Sequence, residues 1–334
     1  MKVFADFHHD DLFHSFHLLF EKRLGWELYA PCGPDWYVKG YWQYSTEPRV
    51  IDEFLVSGKK VEDVGKYSLM ANPCHERNIK ALTLEQFKEM PIDIIISSVP
   101  EHLFIYKKLI QDFKPKAKLI QHVGNEWKKF DYSICRNLMV SCAPFKVDKS
   151  VNTIFYHQEF DLDLFSFTPG EFDNPIKSFV NDLPNLKDWG LFQRYEKSLT
   201  SWNWKSHGLG CRDGNIRPLA KLVKEMKNAS FIFHAKSLGD GFGYIIHNIF
   251  ALGRPGIIRG KWYKGKLAEA LIRDGITCID LDKRDFNSNC AEIIHYSEPG
   301  EYNQMCKNAR NRFDEVVNYD KEFYMIKNFL RRLQ

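Results

Sequence analysis

The sequence predicts an α/β protein of two domains, each built on a doubly wound, mainly parallel sheet. Three observations carry this. The 334 residues exceed one ordinary domain of about 100–200 residues and fall short of three. Short β-branched runs alternate with amphipathic helical stretches, the pattern left by parallel sheets covered with helices. The charge also divides: 21 basic against 23 acidic side chains over residues 1–170, then 26 against 20 over residues 171–334. The second half is therefore the better host for an anionic ligand.

The elements follow in chain order. Lys2–Phe7 is a buried-strand run, and Leu12, Phe16, Leu19, Phe20 and Leu24 recur at helical spacing until Gly25. Trp26–Ala30 reads as the second strand, closed by the turn residues Pro31-Cys32-Gly33-Pro34. After an aromatic stretch from Trp36 to Tyr44 come a strand at Asp93–Ser98, a helix at Glu101–Phe113 and strands at Lys118–Val123, Leu138–Cys142 and Asn152–Tyr156. Residues 159–173 hold five acidic and no basic side chains around Pro169-Gly170, which places a connection there. The first domain is expected over 1–165 and the second over 172–315. In the second, strands at Ile176–Val180, Ser230–His234 and Pro255–Ile258 alternate with helices around Trp189–Leu199, Ile216–Lys227 and Gly243–Leu252. Phe323, Ile326, Leu330 and Leu333 form one stripe of a terminal helix. Both halves read as Rossmann-like.

Composition excludes several classes. With 44% hydrophobic and 27% charged residues, the chain is neither disordered nor fibrous. Its longest apolar runs fall short of the ~20 residues of a membrane helix, and its first residues lack the apolar core of a signal peptide. Eight scattered cysteines without a C-x-x-C pair point to reduced thiols and a cytoplasmic protein. A net charge of +4 is mild for a duplex-binding protein.

The most informative segment is Phe231–Ile257: a strand, a loop with Gly239, Gly241 and Gly243, an apolar helix, then a Gly-x-Pro turn into a strand. Glycines allow close backbone approach, and a helix N-terminus offers unpaired N–H groups to an anion, so a phosphate site is expected. The segment resembles the donor-binding motif of family 4 glycosyltransferases of the GT-B fold, which reads Ser-x-x-Glu-Gly-Phe-Gly, a helix with a second Glu, then Ala-x-Gly-x-Pro. Ser237, Gly241, Phe242, Gly243, Ala251, Gly253 and Pro255 match in order. Ala268–Thr277 and Asn308–Arg312 extend the resemblance over about residues 230–334. It implies a GT-B architecture: two domains facing across a cleft, with a C-terminal helix, residues 316–334, crossing back to the first.

Residue by residue, the resemblance puts the sugar-contacting glutamate at Asp240 and the ribose-binding glutamate at Asn248. Of the family's diphosphate-clamping Arg and Lys, the Arg falls on Asp182 and only Lys187 carries over; Lys236 and Arg254 are the candidate substitutes. His122 resembles the histidine that retaining members place at the cleft. In the first half, His8, His9, Asp10 and Asp11 follow the first strand, where open sheets bind ligands. The first three join His122 and Asp240 as candidate catalytic groups, and Asp11 joins Trp36, Trp42, Trp127 and Lys128 as the candidate acceptor surface, because aromatic faces stack on sugars and bases. Residues 101–150 also carry ten basic against five acidic side chains.

The resulting expectation is a nucleotide-sugar-dependent glycosyltransferase acting on a hydroxyl acceptor, with a saccharide or other small hydroxylated molecule favoured. The resemblance implies a retaining enzyme, and the helix N-terminus and nearby cations are expected to stabilise the leaving diphosphate in place of a metal, with no other cofactor. Three alternatives stand beside it: a viral-type DNA base glycosyltransferase acting on hydroxymethylated bases, a sugar-nucleotide epimerase, and a non-catalytic sugar-nucleotide-binding protein.

Overall fold

The computed structural model describes residues 1–6, 10–31, 80–98, 102–124, 134–237 and 240–333. It divides into two compact units. One comprises Met1–Phe160 with Tyr319–Gln334, the other Asp161–Asn318.

The first unit contains β1 (Lys2–Ala5), α1 (Asp10–Phe16), β2 (Glu27–Pro31), β3 (Lys80–Leu82), α2 (Leu84–Glu89), β4 (Ile94–Ser97), α3 (Leu103–Phe113), β5 (Lys118–Val123), β6 (Asn137–Val140) and β7 (Asn152–Phe155). All seven strands are parallel, in the order β3-β2-β1-β4-β5-β6-β7. Alternation distributes their side chains to two cores. Val3, Ala5, Ile94 and Ile96 pack with Leu12 and Phe16 of α1, and Phe4 and Ile95 pack with Leu84 and Phe87 of α2 and Leu103 and Tyr106 of α3.

The helix expected to run through Leu24 is α-helical only to Phe16, after which His17–Arg23 form a π-helix. Leu24 N accordingly donates to Leu19 O. The wider turn still buries Leu19 and Phe20. β3 and α2 were not evident from hydrophobic periodicity, but Thr83 and Gln86 form a reciprocal capping box that marks where α2 begins.

The second unit contains β8 (Ile176–Ser178), α4 (Trp189–Ser198), β9 (Trp204–Ser206), α5 (Leu219–Lys227), β10 (Ile232–His234), α6 (Tyr244–Ala251), β11 (Gly256–Ile258), β12 (Cys278–Asp280), α7 (Phe286–His295) and α8 (Pro299–Val316). Its parallel sheet runs β12-β11-β10-β8-β9. Phe231, Phe233 and Ile257 meet Phe192 and Tyr195 of α4 and Tyr302 and Met305 of α8 on one face. On the other, a Cβ at Gly256 would lie 3.1 Å from Ile249 Cδ1, so this glycine lets α6 lie close against β11.

The chain then returns to the first unit as α9 (Tyr319–Arg331). Ile326 and Phe329 enter the core beside Ile154 of β7. Asn152 Nδ2 donates to Phe329 O at 3.1 Å, and the His157 backbone N–H donates to Glu322 at 2.7 Å. Among the described residues no helix is long and apolar enough to cross a membrane, and the six described cysteines are free.

Candidate functional site

In an open parallel sheet, ligands gather outside the strands' carboxyl ends where the connection reverses direction. In the second unit that point lies between β8 and β10, because β9 flanks β8 on one side and β10, β11 and β12 continue on the other. Four loops end there: after β8, between β10 and α6, after β11 and after β12.

The β10–α6 loop contains the glycine motif. Gly243 is the N-cap of α6 at φ 80°, in the left-handed region that L side chains enter at a cost of about 1–2 kcal/mol. A Cβ there would also come within 3.3 Å of Tyr263 Cε1. Glycine thus lets the chain turn sharply into the helix, whose first amides carry the partial positive charge that favours an anion. Phe242 faces inward, its ring stacked on His247 with centroids 4.0 Å apart. Gly239 lies outside the described residues.

Asp240 is the electrostatic hub. One carboxylate oxygen pairs with Lys236. The other accepts from His234 Nε2 at 2.9 Å and Tyr263 Oη at 3.2 Å, and Lys266 Nζ donates to its backbone carbonyl at 3.0 Å. Burial opposes ionisation, but the His234 and Lys236 interactions outweigh it and hold the carboxyl well below its usual range. The same arrangement drives Tyr263 well above the ordinary phenol value, through burial first and the Asp240 charge second. A carboxylate offers about four acceptor positions, so these three side-chain donors leave room for a ligand hydroxyl.

Asn248, in the second turn of α6, is 8% exposed, and its Oδ1 has no hydrogen-bond partner among the described residues. A buried acceptor left open this way suits a hydroxyl. Lys187 is exposed just before α4. Asp182, where the resemblance expects arginine, lies beyond β8 at φ 55° and caps the short turn Leu183–Asn185. Ser237 donates its backbone N–H to Asp188 at 2.5 Å.

Two expectations are corrected. Arg254 does not face a ligand: it is 0% exposed, and its guanidinium donates to the carbonyls of Lys227, Thr168 and Pro169. It braces the connecting segment from inside the unit. His122 is likewise a core residue at 1% exposure, bonded to Ser141 Oγ at 3.1 Å and set edge-on between Phe16 and Tyr156.

Asp10 opens α1, with part-exposed Asp11 beside it. His8, His9, Trp36, Trp42, Trp127 and Lys128 lie outside the described residues. The reversal point of the first sheet falls between β1 and β4, and sequence reasoning missed what occupies it. Asp6 accepts from Ser97 Oγ at 3.1 Å, from the Ser98 backbone and hydroxyl, and from His102 Nδ1 at 2.9 Å. The signal was the paired serines ending one strand opposite an aspartate ending its neighbour. His234, Tyr263, Asp188 and Arg259 were missed as well. Their common mark is position at or beyond a strand's carboxyl end. Among the described residues no group of three His, Cys, Asp or Glu side chains is arranged to hold a metal.

No family model and no curated protein matches the sequence. Solved structures do match the fold over nearly the whole chain. Anabaena HepE in complex with UDP-glucose aligns with a TM-score of 0.66 at 10% identity, covering 99% of both chains. A glycosyltransferase from Rickettsia africae aligns at 0.67 and 10% identity, again over 99% of each. An α-glucosyltransferase in complex with UDP-glucose and DNA containing an abasic site aligns at 0.59 and 11% identity, over 97% of this chain and 98% of that one. With two parallel sheets covered by helices and alignment to these structures over 99% of the chain, the protein has the GT-B fold.

Proposed function

We propose that the protein is a glycosyltransferase, similar to family 4, that moves a sugar from a nucleotide-diphosphate donor to the hydroxyl of a saccharide or other small acceptor. The observation that carries the proposal is the β10–α6 loop: a left-handed glycine caps the N-terminus of α6 beside an ionised, cation-flanked Asp240 at the reversal point of the second sheet. The fold likeness to UDP-glucose complexes supports this reading.

In this reaction the acceptor oxygen forms a bond to the anomeric carbon as the carbon–oxygen bond to the diphosphate breaks. The diphosphate leaves with the electron pair, and the hydroxyl proton passes to a basic oxygen nearby. Amides of α6, with Lys187 and Lys236, stabilise the departing charge without a metal or other cofactor. Asp240 orients a sugar hydroxyl and Asn248 a ribose hydroxyl. The proposal includes retention of anomeric configuration and a cytoplasmic setting, the latter supported by the scattered cysteines.

Calorimetric titration with UDP and UDP-glucose tests the donor site. Binding by the parent and its loss in a folded Gly243→Val variant are expected. A parent that binds neither ligand would sink the reading. Labelled UDP-glucose offered with candidate saccharides then tests transfer, and an isomerised donor without transfer would identify an epimerase instead.

One observation favours a second acceptor. The outer face of α3 exposes Phe104, at 67%, beside Lys108, and one structure of this fold is described with DNA. DNA bearing hydroxymethylated bases is therefore the second reading, and the salt dependence of transfer separates it from the first.

A further inference from the structure

Asp188 is the N-cap of α4, yet its side chain makes no capping bond. An N-cap aspartate ordinarily accepts from the helix's own first amides and stabilises the helix start. Here the carboxylate turns away. Oδ2 accepts the Ser237 backbone N–H at 2.5 Å, and Oδ1 lies 3.7 Å from Arg259 Nη1. The acid is 2% exposed, so its charge is poorly hydrated and costly unless neutralised. Arg259 is fixed for that task from its far side, where Nε and Nη2 donate to Asp282 Oδ1 at 3.0 and 2.9 Å.

Three loops at the carboxyl edge of the second sheet thus meet on one buried carboxylate: the start of α4, the segment after β10 and the segment after β11. We propose that Asp188 is a positioning residue of the donor site, holding the Ser237 end of the glycine loop through its backbone, and that Arg259 neutralises this acid so that an anionic donor is admitted. The proposal rests on the donor-site reading above. Its electrostatic half follows from burial: an uncompensated carboxylate at 2% exposure would repel an anionic donor bound nearby more strongly than a hydrated one would.

The test is calorimetric titration of the full chain with UDP for the parent, Asp188→Asn, Asp188→Ala, Arg259→Gln and the Asp188→Asn/Arg259→Gln double variant, each checked for folding by thermal unfolding. The carboxamide of Asp188→Asn keeps an oxygen for Ser237, so its Kd should stay within about threefold of the parent. Asp188→Ala should weaken UDP about tenfold or more, in line with loss of a hydrogen bond to a charged group. Arg259→Gln should weaken UDP by a similar factor, and the double variant should recover most of that loss, because removing the acid removes the repulsion. An Asp188→Ala that binds like the parent, or an Arg259→Gln defect that Asp188→Asn leaves in place, would overturn the proposal. Should Asp188→Ala fail to fold, the Arg259→Gln pair still decides. A parent that does not bind UDP would instead overturn the donor reading, which separates the two failures.

Discussion

At the scale of single residues, Asp240 shows how neighbouring side chains hold a short carboxylate in place. Asp is one methylene shorter than Glu, but the loop supplies Lys236 and β10 supplies His234, so the carboxylate is held from both sides. Its value in the folded chain lies below the ordinary one, and the sign of the pH effect follows. The unfolded chain takes up a proton near about pH 4 while the folded chain does not, so the ionised carboxylate adds stability that is complete above that pH and drains away below it. Asp240→Asn is therefore expected to lower the urea midpoint at about pH 7, with the difference from the parent shrinking as pH falls below about 4. Urea unfolding of both proteins across that range checks this, and a difference that widens on acidification would contradict it. His234, Lys236, Tyr263 and Lys266 surround the carboxyl, and Asn removes the charge they share without removing its bulk. Turnover should fall by about 10²–10³ if the sugar is its partner.

At the scale of elements, α9 is expected to contribute substantially to the stability of the first unit. Phe329 is fully buried among Val3, Leu28 and Ile154, and truncating such a ring typically costs about 3–5 kcal/mol. Phe329→Ala should lower the unfolding free energy by that order in a denaturant titration. A loss under about 1 kcal/mol would mean that the helix is not part of the cooperative core. The apolar stripe of α9 was legible because it repeats for several turns. Buried strands β1, β4, β5 and β6 were legible as short β-branched or apolar runs. What the sequence reading did not show was β9 and β12, although they are no shorter than β8, β10 and β11, which it did show. The switch from α to π geometry at His17 was hidden too, since both turns bury the same Leu19 and Phe20. In the candidate site, glycine spacing announced the α6 loop, whereas the aim of each cation did not show. Arg254 reads as a surface charge next to a turn, yet the chain folds it onto carbonyls brought from residues 168, 169 and 227. Such partners are remote in sequence, and no local pattern encodes them.

At the scale of the whole molecule, the open question is the acceptor, and electrostatics discriminates between the two readings. The formal charge is only +4, but within the first unit Lys108, Lys116 and Lys118 are all exposed on or just beyond α3. A nucleic-acid acceptor would use such charges on phosphates and release condensed counterions, so its affinity would fall by about 10³–10⁵ between roughly 50 and 200 mM salt for a contact with six to ten phosphates. A saccharide carries no such atmosphere, and its stacking and neutral hydrogen bonds respond little to screening. Transfer to the favoured saccharide acceptor is therefore expected to change by less than about threefold over that range, and the Lys108→Glu/Lys116→Glu/Lys118→Glu variant should match the parent throughout. The donor complicates the measurement, because its diphosphate is itself screened. Holding nucleotide sugar at saturation removes that contribution, so the remaining slope belongs to the acceptor. A steep slope under saturating donor, flattened by the triple variant, would reverse the order of the two readings and make DNA modification the function.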